Sequence, residues 1–392
     1  MFSPTTAALD LSAKLGFNRL CRSPLQPGTW ALLEPAGPQN HAPQLCWLTP
    51  DRLGCVWMAG GQEGTAGMGI MLATLQRGAR RWSAPRLISQ DPERSEQNPL
   101  LFVAEHNGLP RLQLIHTAQH VRQSAVSPEP GAAFSMQWTA ALRSQQRAPS
   151  GGRWSCAADL LPTPAFCRHP PHRRADGRWL LPIYRSLETG GAFGHDHSQV
   201  LVLEADGSPT DQLASVPAST GRVHGSIVPS ADGRSLLQFF RSRQADRIYR
   251  SIGNLDGLHW SEPQPTELPN NNSSIQALRL CSGRLAMIFN RFCLQHEPVP
   301  AAAWGEAQWP RTRWPLSVAL SDDDGESWPW IRDLDHGLGF AGDANWFLNG
   351  QLAYPTILEG LPGELHIAYS WGGRQAIRYL CLQEEQILGL EP

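Results

Sequence analysis

The chain has 392 residues, 41% of them hydrophobic, with 36 glycines and 33 prolines: enough apolar material for a sizeable core, and too many turn formers for long helices. A formal net charge of −2, with Lys14 the single lysine among 33 basic residues, offers no basic surface for nucleic acid or an anionic membrane. The eight cysteines lack CxxC spacing, and neither a basic-then-apolar leader nor an apolar stretch of about 20 residues occurs, so a reducing, cytoplasmic chain without metal or cofactor is expected.

Residues 1–35 read as a lead-in segment able to close a blade, and residues 36–392 as one domain. Within that domain a turn residue followed by alternating apolar residues recurs, at Asp51–Trp57, Gly108–Leu114, Asp176–Tyr184, Asp232–Phe240, Ser282–Phe289 and Gly363–Tyr369. The spacing of roughly 50 to 80 residues is that of a propeller blade with variable loops. A second apolar run precedes each copy, starting near His41, Asn98, Arg168, His224, Asn272 and Tyr354. Strand, turn and strand make a hairpin. Six hairpins, each with two further strands, predict an all-β, six-bladed propeller with four-stranded antiparallel blades.

Outer strands have their own mark. Ser321–Trp328 matches the Asp-box pattern S-x-D-x-G-x-[ST]-W, in which Asp and Ser close a tight turn, Gly takes a positive φ and Trp packs between blades. Partial copies end at Trp82, Trp154 and Trp260. The stretches 119–150 and 292–315 read as blades interrupted by loop, and long loops on a rigid scaffold shape binding sites.

In such a ring the starts of the innermost strands and the ends of the second strands converge on the central axis. The starts supply His41, Asn98, Arg168, His169, His224, Asn271 or Asn272 and Tyr354; the ends supply Glu63, Arg185, Arg241, Arg243, Asn290 or Arg291 and Arg374. A set this rich in Arg, His and Asn suits an anionic, oxygen-rich ligand such as a sugar acid, because paired Arg donors clamp a carboxylate and Asn and His address hydroxyls. Taken singly, each of these residues serves equally well as a turn cap or a structural hydrogen bond.

Trp57–Gly64, Gln97-Asn98-Pro99, Phe239–Arg243, Pro269–Ile275, the box ending at Trp328, Tyr354-Pro355 and His366–Trp371 together resemble the sialidase (neuraminidase) superfamily, more closely its bacterial BNR-repeat branch. The resemblance spans about residues 40–380. It implies a sialidase-like exo-glycosidase acting on an acidic or sialic-acid-like sugar through a tyrosine nucleophile and an arginine clamp. Tyr354 stands at the nucleophile's place, Arg241 or Arg243 at the second arginine's, and Arg313 at the third's. His41-Ala42-Pro43 replaces the first arginine's triplet, His224 stands where the activating glutamate belongs, and Glu63 is the nearest carboxylate to the missing acid/base aspartate. His224 as base and Glu63 as acid complete the implied catalytic set, while His41, Asn98, His169, Arg185, Asn272 and Arg374 join the arginines around the sugar. A non-catalytic carbohydrate-binding propeller and a uronic-acid lyase are the alternatives.

Overall fold

Each copy of the repeated phrase forms the second strand of an antiparallel sheet, and six such sheets follow one another along the chain. The computed structural model describes residues 16–23, 26–120, 139–186, 196–300, 303, 306–337 and 351–389. Blade 1 runs Gln39–Thr49, Arg52–Gly60, Gly69–Gln76 and Arg86–Ser89. Blade 2 runs Arg94–His106, Leu109–His120, Ala141–Arg147 and Ala158–Asp159. In blade 3 the innermost strand is broken into Phe166–Cys167 and His172–Arg173, both pairing Trp179–Arg185, followed by His197–Leu203 and Pro209–Ser215. Blade 4 comprises Arg222–Pro229, Leu236–Ser242, Arg247–Gly253 and Gln264–Pro269, and blade 5 Gln276–Arg279, Leu285–Asn290, Leu316–Ser321 and Trp330–Asp335. Part of the loop expected at 119–150 lies outside the described residues, which resume at 139.

Blade 6 is built from distant parts of the chain. Ala353–Glu359, Glu364–Trp371 and Ala376–Gln383 take their outer neighbour from Gln26–Leu33, with Thr29 opposite Cys381 and Leu33 opposite Ile377. Cys21–Ser23 adds a short outermost strand. Ala31 and Leu33 bury themselves against Leu53, Ala73 and Tyr379, so this strand also seals the seam to blade 1. Gly28 has φ 75°, and a Cβ there would overlap the Cys381 carbonyl oxygen; only glycine fits.

The innermost strands face the channel on one edge, where their backbone groups lack a strand partner. Side chains take that role between blades. Gln44 Oε1 accepts from Leu101 N at 2.8 Å, Ser226 Oγ from Ala277 N at 3.0 Å, Gln276 Oε1 from Ile357 N at 3.1 Å and Thr356 Oγ1 from Leu45 N at 3.4 Å.

These strands share a second device near their starts. Ala42, Asn98, His224, Asn272 and Tyr354 all have φ between 49° and 56°. Pairing slips at the same place in four blades, between His41 and Gln44, Gln97 and Leu100, Val223 and Ser226, and Ala353 and Thr356. Such a bulge bends the strand and re-aims one side chain. In blades 4 and 6 it brings the His224 and Tyr354 rings to within 5.4 Å of one another.

At the periphery, Ser321 Oγ accepts from Gly325 N at 2.8 Å, while Asp323 accepts from Ser327 N at 2.9 Å and Ser327 Oγ at 2.6 Å. Trp328 lies edge-on to Phe239 of blade 4. Ser83, Ser155 and Ser261, each following a tryptophan, accept a third-strand N–H from Thr74, Gln146 and Ile252 respectively, all at 2.9 Å. No helix among the described residues is long and apolar enough to cross a membrane.

Candidate functional site

Tyr354 stands on the bulge of blade 6, its strained backbone aiming the ring into the channel mouth. Its hydroxyl accepts from Arg241 Nη1 at 2.8 Å. Arg241 ends the second strand of blade 4, and its Nε donates to Asn272 Oδ1 at 2.7 Å. The same guanidinium meets His224 Nε2 at 3.4 Å, which leaves that nitrogen as acceptor and Nδ1–H to donate to Ser274 Oγ at 3.0 Å. Arg313 lies 5.8 Å from the centre of the Tyr354 ring, and the His41 ring 4.3 Å from it. His41 Nδ1 is held by Ser370 Oγ at 2.8 Å. Four blades therefore meet at one phenol.

Arg168, in the gap of blade 3, passes beneath the site. Its Nη2 donates to the carbonyl oxygens of Tyr354 at 2.8 Å, Pro43 at 3.1 Å and Pro355 at 3.4 Å, tying blades 1, 3 and 6 across the axis. This wholly buried guanidinium is a pillar under Tyr354.

The electrostatics are strongly one-sided. Among the described residues, Arg168, Arg241 and Arg313 have no carboxylate partner, whereas Arg243 pairs with Asp196 at 2.7 Å and Arg374 with Glu63 at 2.5 Å. Burial, partly offset by Tyr354, pushes Arg168 down to about 10, and burial does the same to Arg313. Burial, reinforced by the surrounding arginines, holds His41 and His224 well below the usual histidine range, so both rings are neutral at pH 7. Burial would raise the Tyr354 phenol, but Arg241 and Arg313 outweigh it and bring it below its ordinary value. Arg241 Nη2, Arg168 Nε and His41 Nε2 are buried without a hydrogen-bond partner among the described residues. Unmatched cations and orphaned polar atoms in one buried place are costly unless an anion answers them.

The expected ring of residues divides. Tyr354, Arg241, Arg313, Asn272, His224 and His41 come together, with the Glu63–Arg374 pair close enough to act on Tyr354 and His41 respectively. Arg243 turns aside to Asp196 in front of blade 3, so Arg241 rather than Arg243 reaches the tyrosine. His169 stands one layer back, its Nε2 3.3 Å from Ser274 Oγ. Arg185 donates to Pro164 O at 3.2 Å, and Asn98 meets Cys167 Sγ only through its backbone oxygen. No hydrogen bond joins His224 to the Tyr354 hydroxyl; Arg241 stands between them. Sequence reasoning missed Trp309, half-exposed, with the Arg241 and Arg243 guanidinium carbons 5.6 and 5.3 Å from its ring centre. It lies in the 292–315 loop expected to shape a site, but nothing in its neighbours singles it out.

The sequence profile of the BNR repeat-like domain family matches residues 51–367. The chain belongs to that family. As a BNR-repeat protein it shares its sialidase-like propeller with solved structures of low sequence identity. A Hadza microbial sialidase is 12% identical, with TM-score 0.66 over 90% of this chain and 67% of its own. A protein of unknown function from Dyadobacter fermentans is 13% identical, with TM-score 0.66 over 90% and 97%. The leech intramolecular trans-sialidase complexed with 2,7-anhydro-Neu5Ac is 11% identical, with TM-score 0.65 over 91% and 69%. No curated protein sequence matches significantly.

Proposed function

We propose that this BNR-repeat propeller is a glycoside hydrolase of sialidase-like type, acting on an acidic sugar with Tyr354 as nucleophile. The observation that carries this reading is Arg241: buried, without a carboxylate partner, bonded to the Tyr354 hydroxyl, and keeping one orphaned Nη2. A carboxylate on the sugar answers that charge, and Arg313 and Arg374 flank it. The leech enzyme's anhydro-sialic acid supports the same substrate class by analogy of fold.

The chemistry follows from the charges. Arg241 and Arg313 favour the phenolate of Tyr354, which forms a bond to the anomeric carbon as the glycosidic C–O bond breaks. The leaving oxygen takes a proton from Glu63 or from water, and water then cleaves the tyrosyl intermediate. Arg241 and Arg313 offset the phenolate's charge, which lessens its repulsion from a carboxylate-bearing carbon. For Glu63 to act as acid, its contact with Arg374 must open.

That contact favours a second reading, a propeller that binds the sugar acid without turnover, because among the described residues it engages the carboxylate that acts on Tyr354. Hydrolysis of aryl glycosides of sialic and uronic acids separates the two. The hydrolase reading expects turnover that Tyr354→Phe lowers by roughly a thousandfold or more with binding retained. Binding of the free acids without any hydrolysis selects the second reading, and unchanged turnover in Tyr354→Phe rejects the nucleophile.

A further inference from the structure

Blade 6 holds a second group of reactive side chains at its opposite end. Its innermost pairing places Ala353 opposite Ser370 at the tyrosine end and Glu359 opposite Leu365 at the far end. Glu364 and His366 alternate on the second strand and so share a face, and Cys381 is the direct cross-strand partner of His366. One ligand atom from each of the three lies within 4.8 Å of the other two. We propose that Glu364, His366 and Cys381 form a zinc(II)-type metal site, separate from the sugar site.

The donor set is right for that ion. Thiolate, imidazole and carboxylate together suit a borderline-soft divalent metal, and three protein ligands leave a fourth tetrahedral position for water. His366 Nε2 is 3.3 Å from Glu364 Oε2, and Cys381 Sγ is 3.9 Å from Glu364 Oε1. The other imidazole nitrogen, Nδ1, is 2.7 Å from the Tyr379 hydroxyl, the outer contact that orients a metal-binding histidine. Trp47 of blade 1 packs edge-on against the His366 ring at 5.3 Å and walls the site on one side. A Cβ at residue 360 would sit 2.5 Å from His366 Nε2 and 2.6 Å from Glu364 Oε2, so Gly360 keeps the space beside both ligand atoms clear.

Without metal the cluster is a hydrogen-bonded network: burial and then Glu364 push the Cys381 thiol up to about 11, so it is protonated and donates to the carboxylate. On binding, Cys381 releases its proton to solvent as the sulfur–metal bond forms, with no change of oxidation state. The thiolate and carboxylate then balance the divalent charge. Arg77, 3.8 Å from Glu364, competes for the same carboxylate.

Chelator-treated protein titrated with cobalt(II) and zinc(II) tests the assignment. One equivalent should bind, with a thiolate-to-cobalt charge-transfer band that zinc displaces. Cys381→Ser should abolish the band, and Tyr379→Phe should weaken binding about tenfold. Cys293→Ser removes a thiol 3.6 Å from His296 Nδ1, away from this cluster, and should change nothing. Absence of the band, or its survival in Cys381→Ser, overturns the site. If the Cys381 variant does not fold, Arg77→Met decides: affinity should rise roughly threefold as the competing cation is removed, and an unchanged or weaker affinity rejects the proposal.

Discussion

At the scale of single residues, the site depends on which of two nearby arginines reaches the tyrosine. Arg241 and Arg243 are two apart at a strand end, and their sequence context does not separate them. Asp196 does, by drawing Arg243 away with a bond of 2.7 Å. Arg241→Lys should therefore weaken binding of a sugar acid by at least about tenfold, since a point charge cannot reach Tyr354, Asn272 and ligand together, whereas Arg243→Lys should act mainly on stability. Calorimetric titration of both variants checks this. The Tyr354 phenol, held below its ordinary range, sets the expected pH dependence. If the phenolate is the reactive form, kcat/KM rises with pH up to that lowered value, and Arg313→Met shifts the rise to higher pH by removing one stabilising charge. Trp309→Ala should reduce affinity about fivefold, with the thermal melt unchanged, because the ring is half-exposed and supports two guanidinium groups.

Among the elements, hairpins and outer turns were legible in the sequence for a simple reason: both are local. Strand alternation and a Gly-containing turn lie within a dozen residues, and the Ser321–Trp328 turn is closed by bonds among its own Ser321, Asp323, Gly325 and Ser327. Asp323→Ala removes the acceptor for Ser327 N and Ser327 Oγ and should lower unfolding free energy by about 1–2 kcal/mol, read by denaturant titration. The bulges were not legible. Ala42, Asn98, His224, Asn272 and Tyr354 have no chemistry in common; what they share is a backbone angle. Ser274 and Ser370, which hold His224 and His41, escaped notice because a serine's role depends on what stands across the channel. Arg168 stood within the expected ring, but its three carbonyl acceptors belong to blades brought together only by ring closure.

For the whole molecule, stability should fall on acidification. His41, His116, His169 and His224 are buried and held neutral, His116 at about 4. Unfolded, each takes up a proton near its ordinary 6.5, so below that value the unfolded chain binds more protons and gains on the folded one. Their contribution is complete above about pH 6.5 and declines by up to about 1.4 kcal/mol per pH unit for each ring below it. Glu96, raised by burial to about 7 from 4.5, works in the opposite sense, its contribution being lost as pH rises through that window. Burial lowers His172 and His366 in the same sense, so six groups oppose one and the urea midpoint should be lower at about pH 5.5 than at about pH 7.5. A midpoint that rises on acidification would contradict this assignment of buried neutral rings. Closure of the ring has an independent test: Gly28→Ala should destabilise by more than about 2 kcal/mol, because the added methyl collides with the Cys381 carbonyl in the seam that joins the distant strands.

That seam also orders events during synthesis. Gln26–Leu33 leaves the ribosome early, while its partner Ala376–Gln383 is made only after the other five blades. Until then the apolar Ala31 and Leu33 lie on an unpaired edge, the kind of surface that invites pairing with another chain. Nascent protein is thus most prone to aggregate just before the blade 6 hairpin appears, and the gathering of blades around Tyr354 is completed by the last strand of the propeller.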